Sequence, residues 1–204
     1  MKRIQAGFSM TELMVVLLMM GILAAIALPS TLNSLKGYRL HSDATAIASY
    51  LNVVRMKGAS QYAPYRLVVN LSSSTYTMEK LCGDTPSTVD SACTSKYNAF
   101  TTPQLEGGTQ VVSQGNTFSS CRPSNITGTL YPGTIAGDPS PCPDPLYMYF
   151  NTRGSPVDSA GGPLTNGGAV LYMKNQNDLT DAVTVSIGGR VSVASWSGSA
   201  WVVR

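Results

Sequence analysis

Charge is scarce in this chain. Only 12% of its 204 residues are Asp, Glu, Lys or Arg, and 14 basic against 11 acidic side chains leave a formal net charge of +3. Two of the basic residues, Lys2 and Arg3, sit at the extreme N-terminus. That balance excludes a chain built as a whole to hold polyanions. Histidine is scarcer still, with His41 standing alone, so a Ser-His-Asp triad would have to use it. No C-x-x-C pair occurs among the four cysteines, which argues against zinc. There is no G-x-x-x-x-G-K-S/T phosphate loop and no convincing pair of catalytic carboxylates. The expectation is a protein that is no enzyme and has neither cofactor nor metal.

What the chain does have is one long apolar run near its start. From Phe8 to Leu28 the only charge is Glu12. As a helix, this run spans about 31 Å, close to the thickness of a bilayer core. Lys2 and Arg3 precede it, so the N-terminus should stay cytoplasmic while the rest crosses outward. An ordinary secretory signal is an alternative, with Ala25-Ile26-Ala27 as its cleavage site and Leu28 as the first mature residue. A plain membrane anchor is another. Neither accounts for Glu12. A carboxylate within a bilayer costs about 2.5 kcal/mol or more and calls for a partner. No Lys or Arg lies inside the run, but a cut between Gly7 and Phe8 would create an amine at Phe8. Glu12 could neutralise that amine on a neighbouring copy or a related subunit.

Gly7-Phe8-Ser9-Met10-Thr11-Glu12 resembles the class III prepilin signal of type IV pilins and type II secretion pseudopilins. The resemblance implies that prepilin peptidase cuts after Gly7 and N-methylates Phe8. It also implies that Glu12 pairs with the terminal amine of an adjacent subunit during assembly. Met10-Thr11 departs mildly from the more frequent Leu-Ile. Gly21 and Pro29 match positions where many such proteins carry helix-weakening residues. The implied partners are other pilin or pseudopilin subunits, the peptidase, the inner-membrane assembly platform and the membrane itself.

Beyond Pro29 the chain remains helix-compatible to about Gln61. Leu40, Ala44, Ile47, Leu51, Val54 and Gly58 recur at helical spacing and define an apolar stripe. Lys36, Arg39, Asp43, Asn52 and Arg55 fall mostly on other faces. Tyr38, Arg39 and His41, near the membrane exit, read as a solvated face, with lipid headgroups or another subunit as the alternative contact. Pro64 closes the helical pattern. The expected organisation is a leader over 1–7, a membrane and assembly helix over 8–28, an amphipathic helix over 29–62 and a periplasmic β-rich domain over 63–204.

In that domain Leu67, Val69 and Leu71 alternate, Ser72-Ser73-Ser74 reads as a turn and residues 75–79 alternate again, which predicts a hairpin. Ten of the twelve prolines fall between Pro86 and Pro163, so residues 82–168 should be mostly loop, interrupted by one strand over 146–150 and a turn over 151–154. Cys82, Cys93, Cys121 and Cys142 all lie there. They read as two disulfides of an exported domain, with sequential pairing the simplest of three connectivities and four free thiols the alternative. Later strands are expected at 169–173, 183–187 and 201–203, with Gly188-Gly189 as a two-residue hairpin turn after which Val191 and Val193 continue the alternation. The predicted fold class is α+β: a long N-terminal helix on a mainly antiparallel sheet.

Phe150-Asn151-x-x-Gly154 and the late Gly189-Arg190-Val191 resemble the GspH/FimT family of minor pilins and pseudopilins. The Pro- and Cys-rich insert over about 82–145 is outside that pattern. The resemblance implies a structural subunit of a type IV pilus or a type II secretion system, single-pass in the inner membrane, with its C-terminal domain in the periplasm. Some FimT-like pilins bind DNA through Gly-Arg-x-Arg, but here Ser192 replaces the second arginine. Arg190, Arg204, Trp201, Lys174 and Trp196 remain as a weak alternative surface for nucleic acid. Asn175, Asn177, Asp178 and Asp181 offer oxygen ligands in one loop, but their spacing is not that of an EF-hand, and a polar turn is the expected reading.

Overall fold

Nothing but Gly21, Pro29, Gly37 and Gly58 interrupts good helical sequence between Met10 and Gln61, and in the computed structural model one α-helix, α1 (Met10–Gln61), runs through all four. Residues 9–80, 104–105, 107–119, 122–123, 126, 130, 144–164 and 167–203 are described. Ser9 enters the helix in extended conformation, and its carbonyl accepts from the Glu12 and Leu13 amides. The helix stops where Tyr62 turns left-handed (φ 51°), two residues before Pro64, which cannot donate to a continuing ladder. The division expected near 28–29 is therefore not a break in secondary structure.

The strands form two antiparallel sheets rather than one. The first runs β3 (Gln104–Leu105), β2 (Thr75–Lys80), β1 (Tyr65–Asn70), β6 (Leu146–Phe150), β7 (Pro156–Val157), and β4 (Gln110–Val111) also pairs with β2. The second runs β11 (Trp201–Val203), β10 (Val191–Trp196), β9 (Thr180–Ser186), β8 (Gly168–Asn175), β5 (Asn116–Ser119). The 65–71/75–79 hairpin, the 146–150 strand and the four late strands, β8 to β11, stand where the alternation placed them, except that Ile187 falls in the loop after β9. The stretch expected to hold one strand holds more: β3, β4, β5 and β7 are too short, and β5 too polar, to show a period-two pattern.

The Gly188-Gly189 turn also differs from expectation. Val185 pairs with Val191, the Gly189 amide donates to the Ser186 carbonyl at 2.8 Å, and the Ser186 amide donates to the Arg190 carbonyl at 2.9 Å. Three residues, 187–189, thus form the loop, with Gly189 left-handed at φ 80°. A turn followed by one αL residue twists with the strands and tolerates Ile187 ahead of the glycines.

One core serves the helix and both sheets. Leu40, Ala44, Ile47, Leu51 and Val54 from α1 pack with Leu67, Val69, Met78, Met148 and Phe150 of the first sheet and Leu171, Met173, Val183 and Val185 of the second. The stripe read from spacing is therefore the buried face, and each of its larger members contributes about 1.5–3 kcal/mol by leaving water. The opposite face of the second sheet carries a smaller cluster of Val170, Tyr172 and Ala182, against which Trp201 packs.

Three polar ties fix the helix in register, and they correct the expectation for its other faces. Nδ1 of His41 lies 3.1 Å from Oδ2 of the buried Asp181, so His41 does not belong to a purely solvated face. The Asp43 carboxylate accepts from the Ser113 amide (2.8 Å), the Ser113 hydroxyl (2.9 Å) and the Asn116 Nδ2 (2.6 Å). Arg55 Nη1 donates to the Gly189 carbonyl at 2.8 Å. In the first sheet the buried Arg66 Nε donates to Glu79 at 2.6 Å and its guanidinium lies 4.5 Å from the Tyr147 ring centre.

Candidate functional site

The helix changes character along its length. Between Met10 and Leu35 every large apolar side chain described is exposed, from 43% at Val16 to 82% at Met10. Past Leu40 one face is buried in the core. The first half is long and apolar enough to cross a membrane, and none of its most apolar window is buried within the chain. An apolar surface that encircles a helix needs a non-aqueous surrounding: lipid, or other helices of the same kind.

Glu12 occupies the first turn of this half, where the free N–H groups of a helix favour a negative charge. It is exposed and makes no side-chain hydrogen bond or ion pair among the described residues. Ser9 Oγ and Thr11 Oγ1 are 2.8 Å apart beside it. Gly7 and Phe8, the expected cleavage pair, lie outside the described residues, as do all four cysteines and Arg204. Gly21 and Pro29 are both within α1, and a Cβ added at Gly21 would meet no atom of the described residues within 4 Å. Below Pro29, Thr31 and Ser34 donate their hydroxyls back to the Ala27 and Ser30 carbonyls, so polar side chains are satisfied by the helix itself.

The other residues singled out from sequence are dispersed. Arg190 sits in the β9–β10 loop and Trp201 pairs with Trp196 at the far end of β10, about 20 Å away at the rise of a strand. Trp201 is half-buried between Trp196 and Tyr172, with ring centres 5.4 and 6.1 Å away. In the β8–β9 turn, Asn175 Oδ1 accepts from the Asn177 and Leu179 amides at 2.9 and 3.1 Å, while Asp181 faces His41. These oxygens serve the turn and the helix tie, and they do not converge. Sequence reading missed Asp43, Arg55, Arg66 and Asp181 as organising residues, since each acts through a partner at least 13 positions away.

No curated protein matches the chain. Among solved structures, the chain is similar to the minor pseudopilin EpsH from the type 2 secretion system of Vibrio cholerae, at 9% identity and a TM-score of 0.47, covering 77% of this chain and 97% of that one. A second EpsH structure gives 11% identity, a TM-score of 0.46 and coverage of 78% and 94%. The type IV minor pilin FimU of Pseudomonas aeruginosa gives 13% identity, a TM-score of 0.42 and coverage of 82% and 95%. The family whose model matches is the prokaryotic N-terminal methylation motif, over residues 2–28, and residues 10–28 of that match form the leading end of α1.

Proposed function

We propose that the chain is a structural minor pilin or pseudopilin, a subunit of a type IV pilus or of the short filament of a type II secretion system. The observation that carries this reading is the methylation motif at the head of an apolar helix exposed all round, with Glu12 in its first turn and without a partner among the described residues. Prepilin peptidase cuts between Gly7 and Phe8 and methylates Phe8. The helix first anchors the subunit in the inner membrane, with the β-domain in the periplasm. It then enters the filament core, where Glu12 neutralises the Phe8 amine of a neighbour and desolvation is offset by that pairing.

Intact-mass measurement of membrane-extracted protein tests the reading. The mature chain should begin at Phe8 and carry an added methyl group. A chain beginning at Leu28 would mean ordinary signal peptidase and would remove the assembly helix, and with it the filament role.

A further inference from the structure

We propose that the outward face of the helix between Ser42 and Ser60, beyond the membrane, is a docking surface for the apolar leading half of another subunit's helix. The proposal rests on the filament reading. Nine helix residues between Ser42 and Ser60 are exposed, and none of them is charged. At 100° per residue they occupy about 140° of the helix, opposite the stripe buried under the sheets. The charges of this stretch, Asp43, Arg55 and Lys57, are all partly buried, and the first two are held by the β-domain. An outward helix face in water ordinarily collects the charged side chains. Here it carries Ser42, Thr45, Ser49, Val53, Met56 and Ser60, with Val53 43% and Met56 68% exposed.

Two features suit this face to a dry contact. Thr45, Ser49 and Ser60 donate their hydroxyls to the His41, Thr45 and Lys57 carbonyls, so they can leave water without losing a partner. Ser, Thr or Ala occupies six of the nine positions, which lets a second helix come close.

Position decides the occupant. Ser42 stands about 21 Å beyond Leu28, the end of the run that matches the bilayer core, and a headgroup layer is only about 5–8 Å deep. Lipid therefore does not cover this face, which is wet while the subunit is anchored. The same helix supplies the matching surface. From Met10 to Leu28 its large apolar side chains are exposed, and they lose their lipid when the subunit enters a filament. Residues 10–28 and 42–60 have equal length, about 27 Å each. A parallel neighbour displaced by about 48 Å along the axis brings the first stretch beside the second. With no charge on the face, that contact strands no ion.

Single charges on the full chain, expressed in filament-forming cells in place of the native copy, test the proposal. Ser49→Glu should leave the denaturation midpoint unchanged, because Ser49 is exposed. Its recovery in sheared filaments should fall about tenfold or more, since the carboxylate would be buried without a partner. Ser49→Ala should be recovered at the wild-type level. So should Ser159→Glu, which puts the same charge on an exposed turn of the β-domain. A p-benzoylphenylalanine at Ser49, irradiated in the filaments, should attach to the apolar N-terminal helix of another subunit, identified by peptide mass. Wild-type recovery of Ser49→Glu, an equal loss in Ser49→Ala or Ser159→Glu, or attachment to a β-domain overturns the proposal and leaves the filament reading standing. Absence of the wild-type chain from filaments overturns both.

Discussion

At the scale of single residues, the chain shows two kinds of carboxylate. Asp43 is partly buried and accepts three hydrogen bonds that stitch residues 113–116 to the helix. Glu12 is exposed and has no partner among the described residues. Removing them should therefore fail in different assays. Asp43→Ala should cost about 2–3 kcal/mol of stability, read as a lower denaturation midpoint of the detergent-solubilised chain, because buried donors are left without acceptors. Glu12→Ala should leave that midpoint unchanged, and the protein should still insert and be processed. It should be depleted from filaments, which immunoblotting of sheared and membrane fractions would report; normal incorporation would end the pairing argument. Gly154 is the third sensitive position. It closes the turn after β6 with φ 72°, and a Cβ there would stand 2.8 Å from the Arg55 carbonyl oxygen. Gly154→Ala should cost about 1–3 kcal/mol from backbone strain, before any displacement of the helix.

At the scale of elements, the helix was the most legible part of the sequence. Its apolar stripe from Leu40 to Gly58 was readable because a 3.6-residue period repeats over five turns, and its stop at Gln61 because Pro64 follows. The leading run and Glu12 were readable because a lone charge in an apolar stretch is conspicuous. The short strands were not legible. β5 is Asn-Thr-Phe-Ser, and only its pairing with Asn175–Tyr172 of β8 makes it a strand. Nor were the polar ties, since the local spacing of Asp43 or Arg55 matches any exposed helical residue, and the partners are distant in sequence. Protection within the helix should follow the change in its environment. Hydrogen exchange in detergent should find the amides of 44–58 slowest, since they lie under the sheets. Residues 31–38 should exchange faster, because Pro29 donates no bond to the Ala25 carbonyl and no sheet covers that turn. Uniform protection from 31 to 58 would contradict this account.

At the scale of the whole molecule, two sheets and a helix close on one core, and the aromatic hydroxyls at its margin connect that closure to pH. Burial raises the phenol pKa of Tyr50, Tyr76 and Tyr149 above the ordinary value of 10.0; the Asp43 charge adds to the rise at Tyr76, while Arg66 opposes it at Tyr149. Above about pH 10 the unfolded chain therefore releases these protons before the folded one, and it then binds fewer protons. The stability they contribute is complete below that pH and is lost as pH rises through the elevated folded values. Denaturation midpoints measured from neutral to strongly alkaline pH should fall only on the alkaline side, in step with tyrosinate absorbance. The same closure has a mechanical side. The seam between helix and sheets extends from Leu40 to Gly58, about 27 Å parallel to the helix axis. Tension applied at the N-terminus of the helix is directed along that seam, so it drives the stripe to slide past the sheets rather than to peel away. Sliding has to break the His41, Asp43 and Arg55 ties and the apolar contacts together, whereas peeling would take them one after another. A subunit pulled by its leading helix thus resists as a single cooperative joint.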